Sequence, residues 1–341
     1  MWQLPGLALQ NQVGAGSRAS PPGKIGNEVS SPVRDPYLSV VIVSWNTREL
    51  LLQCLVSVRC EQRRSELDLE IIVVDNASAD GSAEAVRAAD SDVVVLAQSE
   101  NLGFAAANNL GIEHATGNAL LILNPDTELQ PESLGRLWRT LVASEHIGLV
   151  SPVLLNTDGS FQTAGFQFPG LVQTFLDLYP LHPRLMGSQI NGRYDRGDGR
   201  SPFRIDHPLG ACMLVRREIV DTVGAFDPGY FVYSEEIDWC RRMSEAGWTI
   251  LCAPSANVIH HGGQSTSQAP DRMQAQLHRS RARYFRLHEN ERFRSRLRSL
   301  MDLGISLKRA GLPLPSGERT IEKLQAIAGI YEETWAGASD D

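Results

Sequence analysis

No run in this sequence approaches the roughly 18 apolar residues that a membrane helix needs, so nothing is expected to span a bilayer. No G-x-G-x-x-G follows the first apolar strand; the turn there is Ser44-Trp45-Asn46-Thr47, without glycine. No P-loop pattern occurs anywhere, so a dinucleotide-dependent enzyme and a P-loop NTPase are both disfavoured. The five cysteines (Cys54, Cys60, Cys212, Cys240 and Cys252) form no C-x-x-C pair, and their odd number fits a disulfide framework poorly. Most lie in apolar runs and read as core packers of a reducing compartment. The N-terminal stretch has no basic leader, and Pro5 and Gly6 interrupt its apolar part, so it makes a poor signal peptide and the protein is expected in the cytoplasm. Positive charge is also short overall: 341 residues carry a net −8, which argues against nucleic acid as a general partner.

What charge of that sign there is sits in one place. Arg272 to Arg309 holds 11 Lys and Arg against 3 Asp and Glu, so this segment is strongly basic and the remainder acidic. Such a segment fits an anionic membrane surface or a diphosphate-bearing substrate, and equally a solvated helix face. With 42% hydrophobic residues the chain can bury a large core. Three parts are expected: a disordered leader over residues 1–36, rich in Gly, Ser, Pro, Asn and Gln; a globular domain over 37–267; and a basic helical C-terminal extension over 268–341.

Within the globular part short apolar runs alternate with helical patterns. "LSVVIV" precedes an amphipathic stretch with Leu50, Leu51, Cys54, Leu55 and Val58 on one face. "LEIIVVD" precedes Asp80 to Ala89, "DVVVLA" precedes Phe104 to Ala115, and "ALLILN" precedes a helix from Pro131. Continuous apolar strands alternating with helices imply an α/β fold with a parallel sheet covered on both faces. Gly165 to Pro208 reads as a long irregular region. "GACMLVRR" then reads as a strand, Glu235 to Ala246 as a helix, and "TILCAP" and "NVIHHGG" as edge strands. Helices follow at Arg272 to His288, Glu291 to Leu307 and Ile321 to Trp335.

In such sheets ligands bind outside the carboxyl ends of the strands. Here each of those ends is polar: Ser44-Trp45-Asn46, Asp75-Asn76, Asn101 and Asn124-Pro125-Asp126. Asp75 either opens an Asx-turn or accepts hydrogen bonds from a base or ribose edge, and its place beside other polar strand ends favours the site. Asp80, just ahead of a helical run, reads as a cap. Asp126 closes a strand that looks buried on both faces, where a carboxylate needs a partner or a metal; its alternative is a simple turn. A divalent cation shared with a diphosphate would answer the charge, with His260 as the best second ligand, although a lone strand histidine is more often only packed. In "YFVYSEEIDWCRR", Glu235, Glu236 and Asp238 share one helical turn. Acids suit a helix N-terminus in any case; the functional alternative is a general base with its pKa raised by burial, while Arg241 and Arg242 hold the other acids.

Taken together, "VVIVSWN", "IIVVDNASADGS", "NLGFAAANNLGI", "LLILNPDTEL", "GACMLVRR", "FDPGYFVYSEEIDWCRR" and "VIHHGGQS" resemble, in order and spacing, the family 2 glycosyltransferases, inverting enzymes of the GT-A fold, and within them the rhamnosyltransferase-like branch. The resemblance runs from about Leu38 to Thr266. It implies a Rossmann-like mixed sheet flanked by helices. It places Asp75 at the nucleotide base, with Ser44, Trp45 and Asn46 in the same pocket, and Asn101, Gly103 and Asn108 along the donor site. Asn124 and Asp126 stand at the family's D-x-D-type motif, with Asn in place of its first Asp. Asp126 and His260 would hold Mg²⁺ or Mn²⁺. The family's Glu-Asp pair, whose Asp is the base, reads Glu235-Glu236 here, so Glu236 takes the base position, with Asp238 as second choice. Implied partners are a dTDP- or UDP-linked sugar donor, dTDP-rhamnose first, and a glycan or lipid-linked acceptor lying against Gly165 to Pro208 and the Tyr230 to Tyr233 segment. Arg279, Arg283, Arg286 and the arginines from Arg292 to Arg298 would rest on the inner face of the membrane, unless those helices form dimers. Competing readings are a catalytically silent relative that binds sugar nucleotide or glycan, a nucleotidyltransferase, and a scaffold acting through its basic helices.

Overall fold

The computed structural model describes residues 37–162, 165–263, 269–311 and 320–337. All belong to one compact unit, Asp35–Asp341. The expected leader and the expected boundary at 267–268 lie outside the described residues.

The first half alternates as its patterning dictates: β1 (Tyr37–Ser44), α1 (Arg48–Ser65), β2 (Asp68–Asp75), α2 (Ser82–Ala89), β3 (Val93–Ala97), α3 (Phe104–His114), β4 (Ala119–Leu123), a short β5 (Thr127–Leu129), α4 (Ser133–Val142) and β6 (Ile147–Leu155). A strand piece β7 (Phe161–Gln162) follows, and the stretch expected to be irregular contains β8 (Gly165–Phe166), helices α5 (Leu171–Leu178) and α6 (Pro183–Met186), and β9 (Phe203–Arg204) and β10 (His207–Pro208). Then come β11 (Cys212–Arg216), α7 (Arg217–Val223), α8 (Glu235–Glu245), β12 (Thr249–His260), α9 (Pro270–His288), α10 (Glu291–Arg309) and α11 (Ile321–Ala336).

The main sheet runs β3-β2-β1-β4-β11-β6-β12-β5. Strands β1 to β4 are mutually parallel, but β11 is antiparallel to both β4 and β6, and β5 is antiparallel to β12. The sheet is therefore mixed, as the family resemblance implied, and not wholly parallel as strand-helix alternation alone had implied. Strand period fixes two cores. Val41 and Val43 of β1 join Ile72, Val74, Leu120 and Ile122 on one face, and Leu38, Val40 and Ile42 join Ile71, Val73, Leu121 and Leu123 on the other. Each such fully buried side chain is worth about 1.5–3 kcal/mol. On the second face α1 presents Leu51, Cys54, Leu55 and Val58, four of the five residues expected there. Cys54, Cys212, Cys240 and Cys252 are buried free thiols, and Cys60 is half-buried.

Three local readings need correction. β6 was not among the expected strands, because its Gly148 and Pro152 are depleted from strands. It is nevertheless internal, and β12 accommodates the proline with an irregularity of register: Ala253 faces Pro152 and Asn257 faces Val153. "TILCAP" and "NVIHHGG" are not two edge strands but parts of β12, which lies between β6 and β5. The helix expected from Pro131 starts at Ser133, where the buried Glu61 carboxylate accepts from the backbone N–H of Glu132 (3.0 Å) and of Leu134 (3.1 Å). Asp80 does serve a helix start: it accepts from Ser82 N (3.1 Å), and also from Arg48 N (2.9 Å), tying the beginnings of α2 and α1 together.

The basic helices share the first core, to which they contribute Tyr284, Phe285, Leu297, Met301 and Tyr331. Several of their arginines are used within the chain. Arg283 pairs with Asp227 (2.8 Å) and Arg298 with Glu332 (3.4 Å). Arg294 donates to the carbonyl oxygens of Arg286 (3.3 Å) and Glu289 (2.8 Å).

Candidate active site

Register brings the polar strand ends together. Ser44 faces Asp75 across β1 and β2, and Asn124 N donates to Ala211 O (2.9 Å) just before β11 begins. Thr127 faces His260 across β5 and β12, which sets Asp126 against that histidine. One edge of the sheet therefore carries residues from β1, β2, β4, β5, β11 and β12.

On the β1–β2 side the loops brace one another. Asn46, at φ 53°, donates its N–H to Ser78 Oγ (3.0 Å) and accepts on Oδ1 from Ala79 N (2.8 Å). Ser44 Oγ and Thr47 Oγ1 lie 3.0 Å apart, and Trp45 is half-buried beside them. Asp75 is buried; Oδ2 accepts a long bond from Ser78 N (3.4 Å), and Oδ1 is buried without a partner. A buried carboxylate oxygen in that state is costly, roughly 1–3 kcal/mol, unless a ligand donates to it. Asn76, one of the polar strand-end residues, fixes the next loop: Nδ2 donates to Asn101 Oδ1 (2.9 Å) and Gly103 O (3.2 Å), and Oδ1 accepts from Leu102 N (2.8 Å). Gly103 sits at φ 84°, and a β-carbon there would fall 2.5 Å from Phe231 O. That tight approach lets Phe104 N reach Phe231 O (2.6 Å). Asn108, buried in α3, donates to Phe104 O (2.9 Å) and leaves Oδ1 buried and unpartnered, as is Asn124 Oδ1.

At the β5–β12 junction His261 N donates to Asp126 O (2.9 Å). His260 Nε2 stands 3.5 Å from Asp126 Oδ1. Gln162 decides what that contact means. Its Nε2 donates to Asn156 Oδ1 (2.7 Å) and to His260 O (2.9 Å), which orients the amide. Gln162 Oε1 then faces His260 Nδ1 at 3.0 Å, so Nδ1 must be the donor. In the neutral ring Nε2 then carries the lone pair, 3.5 Å from a carboxylate oxygen. Two acceptors so opposed fit a cation between them, and a histidine held through its other nitrogen is the usual arrangement of a metal ligand. Among the described residues no group of three or more His, Cys, Asp and Glu gathers around one point. A cation here would take its remaining ligands from substrate and water, as Mg²⁺ commonly does.

Two non-glycine residues in the left-handed region, Tyr233 (φ 68°) and Ser234 (φ 66°), deliver the chain into α8 at roughly 1–2 kcal/mol each. The three acids of its first turn then diverge. Burial raises Glu235 far above the ordinary carboxylate range, and the neighbouring Glu236 charge adds to this. Burial pushes Glu236 up to about 7, and its Oε2 has no partner. Asp238 goes the other way. Burial alone would raise it, but the hydrogen bond from His288 (2.7 Å) and the Arg242 guanidinium (2.8 Å) hold it below the usual range. Arg241, by contrast, pairs with Glu245 (2.6 Å). Glu236 also lies beside the turn into β11: a β-carbon at Gly210 would lie 3.5 Å from its Cβ, one residue from the Ala211 carbonyl that Asn124 engages.

This constellation can now be set beside known proteins. The glycosyl transferase family 2 profile matches residues 39–224, more than half of the chain. The chain belongs to glycosyl transferase family 2. It is 29% identical over 256 residues to the N-acetylglucosaminyl-diphospho-decaprenol L-rhamnosyltransferase of Mycobacterium tuberculosis, covering 71% of this chain and 82% of that one. It is 26% identical to the low-salt glycan biosynthesis hexosyltransferase Agl10 of Haloferax volcanii, covering 66% and 67% respectively. Among solved structures it superposes on a Pyrobaculum calidifontis mannosyltransferase, in complex with GDP-Man and Mn²⁺, with a TM-score of 0.56 at 16% identity, over 91% of this chain and 89% of that one. The family 2 member described here is thus a glycosyltransferase with the GT-A-type sheet, and nucleotidyltransferase and pure scaffold give way as readings of the chain. Gln162 and His288 are the participants that sequence reading missed, and neither carries a local signal.

Proposed function

We propose that the protein moves a sugar from a nucleoside-diphosphate donor to a hydroxyl of a glycan or lipid-linked acceptor by a single, inverting displacement. The opposed acceptors Asp126 Oδ1 and His260 Nε2 carry this reading. They would hold Mg²⁺ or Mn²⁺, which when bound would offset the charge developing on the departing diphosphate. Asp75 Oδ1, buried and unpartnered, would accept from the nucleotide base, with Ser44, Trp45 and Asn46 beside it and Asn101, Gly103, Asn108 and Asn124 along the donor site.

Glu236 is the base. With a pKa near 7 it is ionised in a useful fraction at neutral pH and basic enough to take a hydroxyl proton. Asp238 was the second choice, but its two oxygens already accept from His288 and Arg242, which argues against it. The acceptor oxygen, relieved of its proton by Glu236, attacks the anomeric carbon from the face opposite the diphosphate. The oxocarbenium-like transition state needs a single base. Rhamnose is favoured as the sugar because the Mycobacterium relative is named a rhamnosyltransferase; dTDP and UDP both remain candidate carriers. Among the described residues no helix is long and apolar enough to cross a membrane. Arg279, Arg292 and Arg296 are exposed, which supports peripheral contact with an anionic membrane.

The test is calorimetric titration of UDP and dTDP with and without Mn²⁺, on wild type and Asp126→Ala, followed by transfer from the labelled sugar donor. Metal-dependent binding of one nucleotide, lost in the variant, is the expected result. If neither nucleotide binds under any condition the proposal fails. Binding without transfer to any acceptor hydroxyl or to water would leave a silent sugar-nucleotide binder.

A further inference from the structure

We infer that His288, on α9, the first of the three C-terminal helices, is a positioning residue for Glu236 and acts through Asp238. The inference rests on Glu236 being the base.

Glu236 Oε2 has no hydrogen-bond partner, so that oxygen gives its carboxylate no anchor of its own. Its orientation depends on the first turn of α8, whose backbone at Ser234, Glu236 and Ile237 bonds to the carboxylate, and Asp238 ties that turn to its neighbours. The Asp238 side chain is only 3% exposed. Oδ1 accepts from His288 Nε2 (2.7 Å) and Oδ2 from Arg242 Nε (2.8 Å). Arg242 in turn donates to Val223 O and Ala225 O, both at 2.9 Å, so the same carboxylate joins α8 to the end of α7 and to α9. Charge-assisted bonds of this kind, made inside the protein, are roughly twice as strong as neutral ones. The His288 ring is itself packed on Tyr284, with centroids 4.8 Å apart.

The rest of α9 holds the segment leading into α8. Ser280 Oγ donates to Val232 O (2.7 Å), Arg283 grips Asp227 with two donors (2.8 and 3.1 Å), and the Arg283 guanidinium lies 5.4 Å from the centre of the Tyr230 ring. Phe231, inside that segment, accepts from Phe104 N at the end of the donor-side loop. Helix α9 thus reaches both the base-bearing turn and the donor loop through residues 227–238; its His288 contacts that turn at Asp238, and its Arg281 charge acts on Glu236 itself. A displacement of about 1 Å at a reacting group can cost on the order of a hundredfold in rate.

The experiment compares His288→Phe, which keeps a ring against Tyr284 but cannot donate, with His288→Gln, whose Nε2 can replace the donor. Steady-state transfer gives kcat and the donor KM, calorimetry gives nucleotide binding, and melting reports the fold. The expected result for His288→Phe is a kcat about 10- to 100-fold lower, with donor KM within about twofold. His288→Gln should retain kcat within about threefold. Should His288→Phe fail to fold, His288→Asn, one methylene too short, takes its place against His288→Gln with the same expectation. An unchanged kcat in the donor-less variant, or equal losses in both, overturns the inference. Glu236→Gln separates the two levels. If it still turns over, the base assignment itself is wrong. If it is inert while His288→Phe behaves as wild type, only the positioning role falls.

Discussion

His260 Nε2 and Asp126 Oδ1 face each other across 3.5 Å, and Gln162 on the far side of the ring fixes which histidine nitrogen is bare. Gln162→Leu should therefore weaken Mn²⁺ binding in the presence of nucleoside diphosphate about 10- to 100-fold, the usual effect of losing a residue that orients a ligand. Calorimetry of Mn²⁺ into the nucleotide-loaded protein checks this. An affinity equal to wild type would remove Gln162 from the site.

The Glu236 carboxyl, pushed up to about 7 by burial, predicts a pH profile. Only the ionised form accepts a proton, so kcat/KM should rise through about pH 7 and level off above it. The same shift has a stability consequence of opposite sense. The folded state keeps a proton that the unfolded chain releases near the ordinary value of 4.5, so ionisation at higher pH disfavours the fold. Glu236→Gln should raise the melting temperature at about pH 8, leave it nearly unchanged at about pH 4, and abolish transfer at both.

Asp75 Oδ1 is buried without a partner, a state that donor binding would relieve. Asp75→Ala should lower nucleotide affinity about 10- to 100-fold while leaving melting temperature equal or higher, since the unsatisfied oxygen is removed together with its role. Titration with UDP and dTDP, paired with a melting curve, reads both. A large fall in stability would show that Asp75 is structural.

At Gly103 any side chain meets Phe231 O at 2.5 Å, on a backbone with φ of 84°. Gly103→Ala should destabilise the protein by about 3 kcal/mol or more. It should also weaken nucleotide binding, because Asn101 and Asn76 depend on the same loop. Chemical denaturation measures the first effect and titration the second.

The two sides of the site were unequally legible in the chain. Asp75, Asp126 and the acids around Glu236 stand at strand ends or at a helix start, where sequence period and turn chemistry mark them. The resemblance put Glu236 ahead of Asp238, and Arg242 was expected to hold a neighbouring acid, but the second partner of Asp238, His288, lies fifty residues on and was not legible. Gln162 carried no expectation in the sequence, and nothing local ties it to His260, 98 residues away. β6 was hidden by Gly148 and Pro152, whose local preference the register shift of β12 overrides.

The sequence by itself determined the alternating strands and helices, the two apolar faces, the helices of the C-terminal segment and the polar groups at the strand ends. All of these follow from residue type and period along a few consecutive positions. Only the tertiary structure decided that the sheet takes β11 and β5 in the reverse sense, that the basic helix α9 braces the turn bearing Glu236, and that burial raises Glu235 and Glu236 while partners hold Asp238 low. Those outcomes depend on burial and on partners far away in the chain, and local patterning carries no information about either.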